Sequence, residues 1–143
     1  MTKYMLIMRG TEEALERYAQ LPFEQVIAEM GRYNESMIDA GVLVAGEGLA
    51  DASEGFVVDF SGETPLVTDG PYGEIKELFN GFWMIEVATV EEAKEWASRA
   101  PLGPGNFIEV RRVNGPEDFP QDNEWIQKEE GWRKAEAERA SGA

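Results

Sequence analysis

The sequence predicts an α+β fold, an antiparallel sheet with its helices on one face, and three observations carry that prediction. A strand, helix, strand pattern occurs once in each half of the chain, first over residues 4–8, the stretch after Pro22 and the run from Val42, then over residues 82–87, the stretch after Thr89 and residues 107–113. Such a duplication is the ferredoxin-like arrangement. A length of 143 residues fits a single compact core, large enough to bury roughly two thirds of the surface its unfolded chain would expose. The third observation is the segment between the halves, residues 67–86, which reads as a strand, a tight turn at Asp69-Gly70-Pro71, a charged loop and a second strand.

Taken in order, Tyr4 to Met8 is apolar without alternation, as suits a central strand covered on both faces, and Arg9-Gly10 ends it. Residues 11–20 place Ala14, Leu15 and Tyr18 at helical spacing, which predicts a short surface helix. Pro22 suits the first turn of a longer helix. Phe23, Val26, Ile27, Met30, Tyr33 and Met37 then recur at three- and four-residue steps, and Gly41 supplies the left-handed cap. Gly31, inside that helix, either permits close packing or is simply tolerated at a cost of about 1 kcal/mol.

The strand from Val42 to Leu49 contains Gly46-Glu47-Gly48. A phosphate-binding glycine loop is excluded, because Asp51 stands where its third glycine would fall and no helix pattern follows. A bulge or a crowded backbone approach explains the pair better. Residues 56–60 and 65–68 flank Ser61-Gly62-Glu63-Thr64 as a hairpin. Thr89 and Glu92 form a capping box, and Val90, Ala93, Trp96 and Ala97 make the apolar stripe of the helix it opens. Residues 107–113 alternate as a half-exposed last strand. The chain divides at residue 119. Residues 120–143 form a charged, helical tail with Trp125, Ile126 and Trp132 as its large apolar side chains, and those tryptophans need a surface to cover.

Composition excludes whole classes of chemistry. There is no Cys and no His, so disulfides, thiolate nucleophiles, zinc and iron–sulfur ligation and Ser-His catalysis are absent. Asp and Glu number 28 against 13 Lys and Arg, and the resulting charge of −15 repels phosphate, so neither nucleic acid nor an anionic membrane surface is the expected partner. The apolar run at the start is too short for a signal peptide and no stretch approaches the ~20 apolar residues of a membrane span, so a cytoplasmic location is expected. No metal or cofactor is expected either; Asp122-Asn123-Glu124 lacks the spacing and glycine of an EF-hand.

What remains are carboxylates, Lys, Tyr, Ser and Thr. Asp69 is the first candidate for acid or base chemistry, with Lys76 beside it and Glu47, Tyr72, Glu74 and Trp83 as candidate ligand contacts. The alternative for Asp69 is an Asx turn that fixes the geometry of Gly70 and Pro71, and for Lys76 a solvated cluster with Glu74 and Glu77.

Val67-Thr68-Asp69-Gly70-Pro71-Tyr72, Glu74-x-Lys76-Glu77, Gly81-Phe82-Trp83-Met84-Ile85, Glu92-Ala93-x-x-Trp96-Ala97 and Ile108-Glu109-Val110-Arg111 together resemble the YCII-related family, in its branch named for a DGPF motif, over about residues 3–119. Tyr72 stands where that motif has Phe. The resemblance implies a dimeric α+β barrel, in which two ferredoxin-like sheets pack face to face as a homodimer. It also implies a largely uncharacterised function. The His-Asp pair proposed for the better-studied branch does not carry over to a chain without His, and only Asp69 occupies the motif's acidic position. Two functions follow as expectations. One is a cofactor-free enzyme using Asp69 in proton transfer, elimination or hydrolysis. The other is a non-catalytic small-ligand-binding or regulatory accessory module, since members of that branch accompany sigma-factor-type regulators.

Overall fold

A computed structural model describes residues 1–70 and 77–142 and divides the chain into two units, residues 1–112 and 113–143. In the first unit the elements run β1 (Thr2–Thr11), α1 (Glu12–Ala19), α2 (Phe23–Asp39), β2 (Leu43–Gly48), β3 (Phe56–Asp59), β4 (Leu66–Asp69), β5 (Glu77–Val87), α3 (Val90–Ser98) and β6 (Asn106–Arg112). Four strands form one sheet in the order β2-β5-β1-β6, every neighbouring pair antiparallel, which is the ferredoxin-like topology with β1 and β5 central. The β3–β4 ribbon is a separate two-stranded sheet inserted between β2 and β5.

Register decides which residues meet the helices. Leu6 pairs with Trp83 on one side and Val110 on the other, and alternation carries Tyr4, Met8, Ile85, Val87 and Ile108 to the same face. There they pack with Tyr33 and Met37 of α2 and Ala93 of α3; Leu6, Met37, Ile85, Val87 and Ala93 are completely buried. Met5, Ile7, Phe82, Met84, Phe107 and Glu109 alternate to the opposite face. On that face Arg9 spans three strands, pairing with Glu109 of β6 at 2.9 Å and Glu77 of β5 at 3.3 Å.

The local signals act largely as the sequence predicts. Thr11 caps α1 by accepting from the Ala14 amide, Gly41 adopts φ 72° after α2, and Thr89 accepts from the Glu92 amide at 3.2 Å. The Glu92 carboxylate reaches back one residue further than a standard capping box, to the amide of Ala88. Gly31 has no neighbour within 4 Å of the position a Cβ would take, so of its two explanations toleration is the right one. Around Gly46 the approach is crowded as expected: a Cβ there would lie 2.9 Å from the Trp83 ring, and the β2 register also slips between Leu43 and Ala45. Two strands are longer than their apolar cores suggest. β1 extends to Thr11, and β5 begins at Glu77, so Glu77 belongs to the sheet rather than to the preceding loop. Both additions are polar or glycine-bearing and pair with each other, Arg9 with Phe79 and Thr11 with Glu77, which periodicity in either strand alone does not reveal.

The second unit holds a short helical turn at Pro116–Asp118 and the helix α4 (Glu124–Gly142). No residue of α4 is buried, and Trp125 and Trp132 are about 60% exposed, at 59% and 60%. No helix among the described residues is long and apolar enough to cross a membrane.

Candidate ligand pocket

A cavity of about 600 Å³ opens between the sheet and the first two helices. Its floor is Met8 of β1, Asn80 and Trp83 of β5, Gly46 and Gly48 of β2 and Asn106 of β6, with the register pair Phe82 and Glu47, whose positions alternate to the opposite face, at its margin. Leu15 and Tyr18 of α1 and Ile27, Met30 and Asn34 of α2 form the walls, while residues 49–51 and Leu102 complete the rim. Apolar side chains with a few converging polar groups are the usual composition of a small-molecule site.

Trp83 organises this region. Its ring is 4% exposed, stands edge-to-face on Tyr33 at 5.0 Å, and its indole N–H donates to Asn34 Oδ1 at 2.8 Å. The Tyr33 hydroxyl donates in turn to the Trp96 carbonyl at 2.7 Å, so α2 is tied both to β5 and to α3. Burial pushes the Tyr33 phenol up to about 12, only partly opposed by Arg99. The Tyr18 phenol is also raised, by burial and then by the nearby negative charge of Glu29, and it stays a neutral hydrogen-bonding group at physiological pH.

A bulge brings in the third polar group. Met8 pairs with Gly81 and Arg9 with Phe79, leaving Asn80 opposite no residue of β1. An extra residue of this kind re-aims a side chain. Here the carboxamide of Asn80 turns to the helix side, where a Cβ on Gly10 would lie 3.2 Å from Asn80 Nδ2 and 2.8 Å from Asn106 Oδ1. Gly10 and Gly81 make this possible, for a Cβ on Gly81 would fall 2.6 Å from both the Glu47 carbonyl and the end of Met8.

The residues singled out from the sequence fall in different places. Trp83 lines this pocket and Glu47 borders it. Asp69 ends β4, opposite Phe56 of β3, and is exposed. Its carboxylate makes no hydrogen bond among the described residues, while the neighbouring Gly70 amide donates to the Gly55 carbonyl at 2.9 Å. Tyr72, Glu74 and Lys76 lie outside the described residues. The sequence reading missed Tyr18, Asn34, Asn80 and Asn106, because carboxamides carry no acid or base signature; the one available signal was Gly81, a glycine inside a strand and hence a bulge candidate.

The family model for the YCII-related domain matches residues 2–117. The chain belongs to that family. It is also similar to an uncharacterized protein of Rhizobium meliloti (strain 1021), 26% identical over 111 residues that cover 76% of this chain and 89% of the relative. The matched span contains the whole four-stranded sheet and every residue of the pocket.

Proposed function

We propose that this YCII-related protein is a small-ligand-binding module, with the cavity between the sheet and α1 and α2 as its site. The observation that carries the reading is the convergence of Tyr18, Asn34, Asn80 and Asn106 on one apolar cavity of about 600 Å³. None of these four ionises at neutral pH, so the arrangement favours binding over proton transfer. A thermal-shift screen of small uncharged compounds on the wild type and on Met30→Trp tests it: hits should raise the melting temperature of the wild type, and the bulky residue in the α2 wall should abolish the shift. Hits that stabilise both proteins equally would place binding elsewhere.

Asp69 supports a second reading, a cofactor-free enzyme of proton transfer, elimination or hydrolysis with Lys76 as partner and Tyr72 and Glu74 as ligand contacts. What favours it is the exposed carboxylate, without a hydrogen bond among the described residues, at the head of the Asp69-Gly70-Pro71-Tyr72 segment. The same segment supports membership of the DGPF branch, and with it an accessory role beside sigma-factor-type regulators. Asp69→Asn keeps turn-forming capacity and removes the acid, so loss of turnover on an identified substrate supports this reading and full activity ends it. We further propose a cytoplasmic homodimer built as an α+β barrel, with residues 1–119 as the domain and 120–143 as a tail supporting association.

A further inference from the structure

The free hydrogen-bonding groups of the pocket have a definite pattern. Asn106 commits its Nδ2 to the Gly103 carbonyl at 3.1 Å, which leaves Oδ1 as an acceptor over Gly10. Asn80 makes no side-chain hydrogen bond among the described residues, and its Nδ2 donor is held over the same glycine by the β5 bulge. One donor and one acceptor thus converge within about van der Waals reach of a single point, at 3.2 and 2.8 Å from the site of a Gly10 Cβ. Asn34 adds a second donor on the wall, because its Oδ1 is occupied by the Trp83 indole and its Nδ2 has no partner among the described residues.

The surroundings set the charge. No Lys or Arg is among the described residues lining the pocket, whereas Asp51 is, held ionised by its hydrogen bonds from Ser53; Glu47 borders the pocket but pairs with Phe82, on the face away from the helices. Glu29 extends the same negative field to Tyr18. An anion entering there would meet the Asp51 carboxylate at the rim and the field of Glu29 at Tyr18, with no Lys or Arg among the described lining residues to offset them.

Resting on the ligand-pocket reading above, we infer that the group recognised over Gly10 is a neutral planar one carrying a donor and an acceptor side by side, a primary carboxamide, lactam or urea, on an apolar body. The Asn80 donor meets its carbonyl and the Asn106 acceptor meets its N–H, while Met8, Leu15 and Met30 cover the apolar part. A site that hydrogen-bonds such a group rejects an isostere that leaves one of its buried partners unpaired.

The test uses three probes of one shape, phenylbutanamide, phenylbutyrate and phenylbutylamine, titrated calorimetrically into the wild type and into Asn80→Asp, with circular dichroism confirming that the variant folds. The amide should bind the wild type at least about tenfold more tightly than either charged probe. In Asn80→Asp the donor becomes an anionic acceptor, so the amide should weaken by about tenfold and the amine should become the tightest of the three. Wild-type protein that binds the carboxylate or the amine as well as the amide, or a ranking unchanged by Asn80→Asp, overturns the inference while leaving the pocket standing. If none of the probes binds and Met30→Trp also leaves the thermal-shift screen unaltered, the pocket reading itself fails, and the inference with it.

Discussion

The Trp83 indole nitrogen lies 2.8 Å from Asn34 Oδ1, so the largest buried side chain of β5 has its one polar atom satisfied by a residue of α2. An indole N–H left in the interior without a partner carries its full desolvation cost. Asn34→Leu should therefore lower stability by about 1 to 3 kcal/mol in urea unfolding. In a Trp83→Phe background, where no N–H remains, the same change should cost clearly less. Equal costs in both backgrounds would mean that the hydrogen bond contributes nothing.

Two glycines make opposite forecasts. At Gly81 a Cβ would collide at 2.6 Å with the Glu47 carbonyl, a backbone atom of the paired strand that cannot swing aside, so Gly81→Ala should destabilise by about 1 to 3 kcal/mol and open the β2–β5 edge. At Gly31 nothing lies within 4 Å and the backbone is helical, so alanine should add about 0.5 to 1 kcal/mol through its better helix propensity. Thermal melts of the two variants in one buffer check both signs at once.

Alkaline stability reports on Tyr33. Burial raises its phenol from the ordinary 10.0 to about 12 in the folded chain, so the unfolded chain loses the proton first as pH rises. Stability is unaffected by this group below pH 10 and falls between about 10 and 12. Tyr33→Phe loses the hydrogen bond to the Trp96 carbonyl and starts from a lower value, but its decline over that window should be shallower. Tyr18, shifted the same way, leaves a residual slope in both proteins. Parallel declines in the wild type and Tyr33→Phe would contradict the assignment.

How far the sequence reached follows from which features are local. The Thr89 cap, the Gly41 terminus and the three- and four-residue spacing of Val26, Met30, Tyr33 and Met37 act within a few residues of chain, and each is legible without knowing the fold. The pocket is different. Asn80 enters it only because β5 carries one residue more than β1 between two paired positions, and Asn106 joins it only because β6 lies on the far side of β1. Those are facts of register between strands about 70 and 100 residues apart, to which hydrophobic periodicity is blind. Asn34 was hidden for another reason: in the pattern of α2 it falls among Arg32, Glu35 and Asp39 and reads as solvent-facing.

The last prediction concerns self-association. On the sheet face away from the helices Met5, Ile7, Phe82 and Met84 are half-buried and Phe107 is 45% exposed, and the β3–β4 ribbon exposes Phe56, Leu66 and Val67 at 64%, 63% and 60%. Large apolar side chains left to water side by side are a mark of an interaction surface. A second copy of the chain can cover it with an interface of standard size, about 1,600 Å² in total. Light scattering at micromolar concentration should then give about twice the 16.0 kDa chain mass. Phe107→Glu should shift the population to monomer: the residue is exposed enough for the single chain to tolerate a charge, and in a dimer that charge would be desolvated opposite an Arg9 already shared between Glu77 and Glu109. Removing residues 120–143 should leave the circular dichroism of the sheet unchanged and raise the dissociation constant. A monomer peak for the wild type would refute the dimer, and a truncated chain that no longer folds would show instead that the tail is needed by the domain it follows.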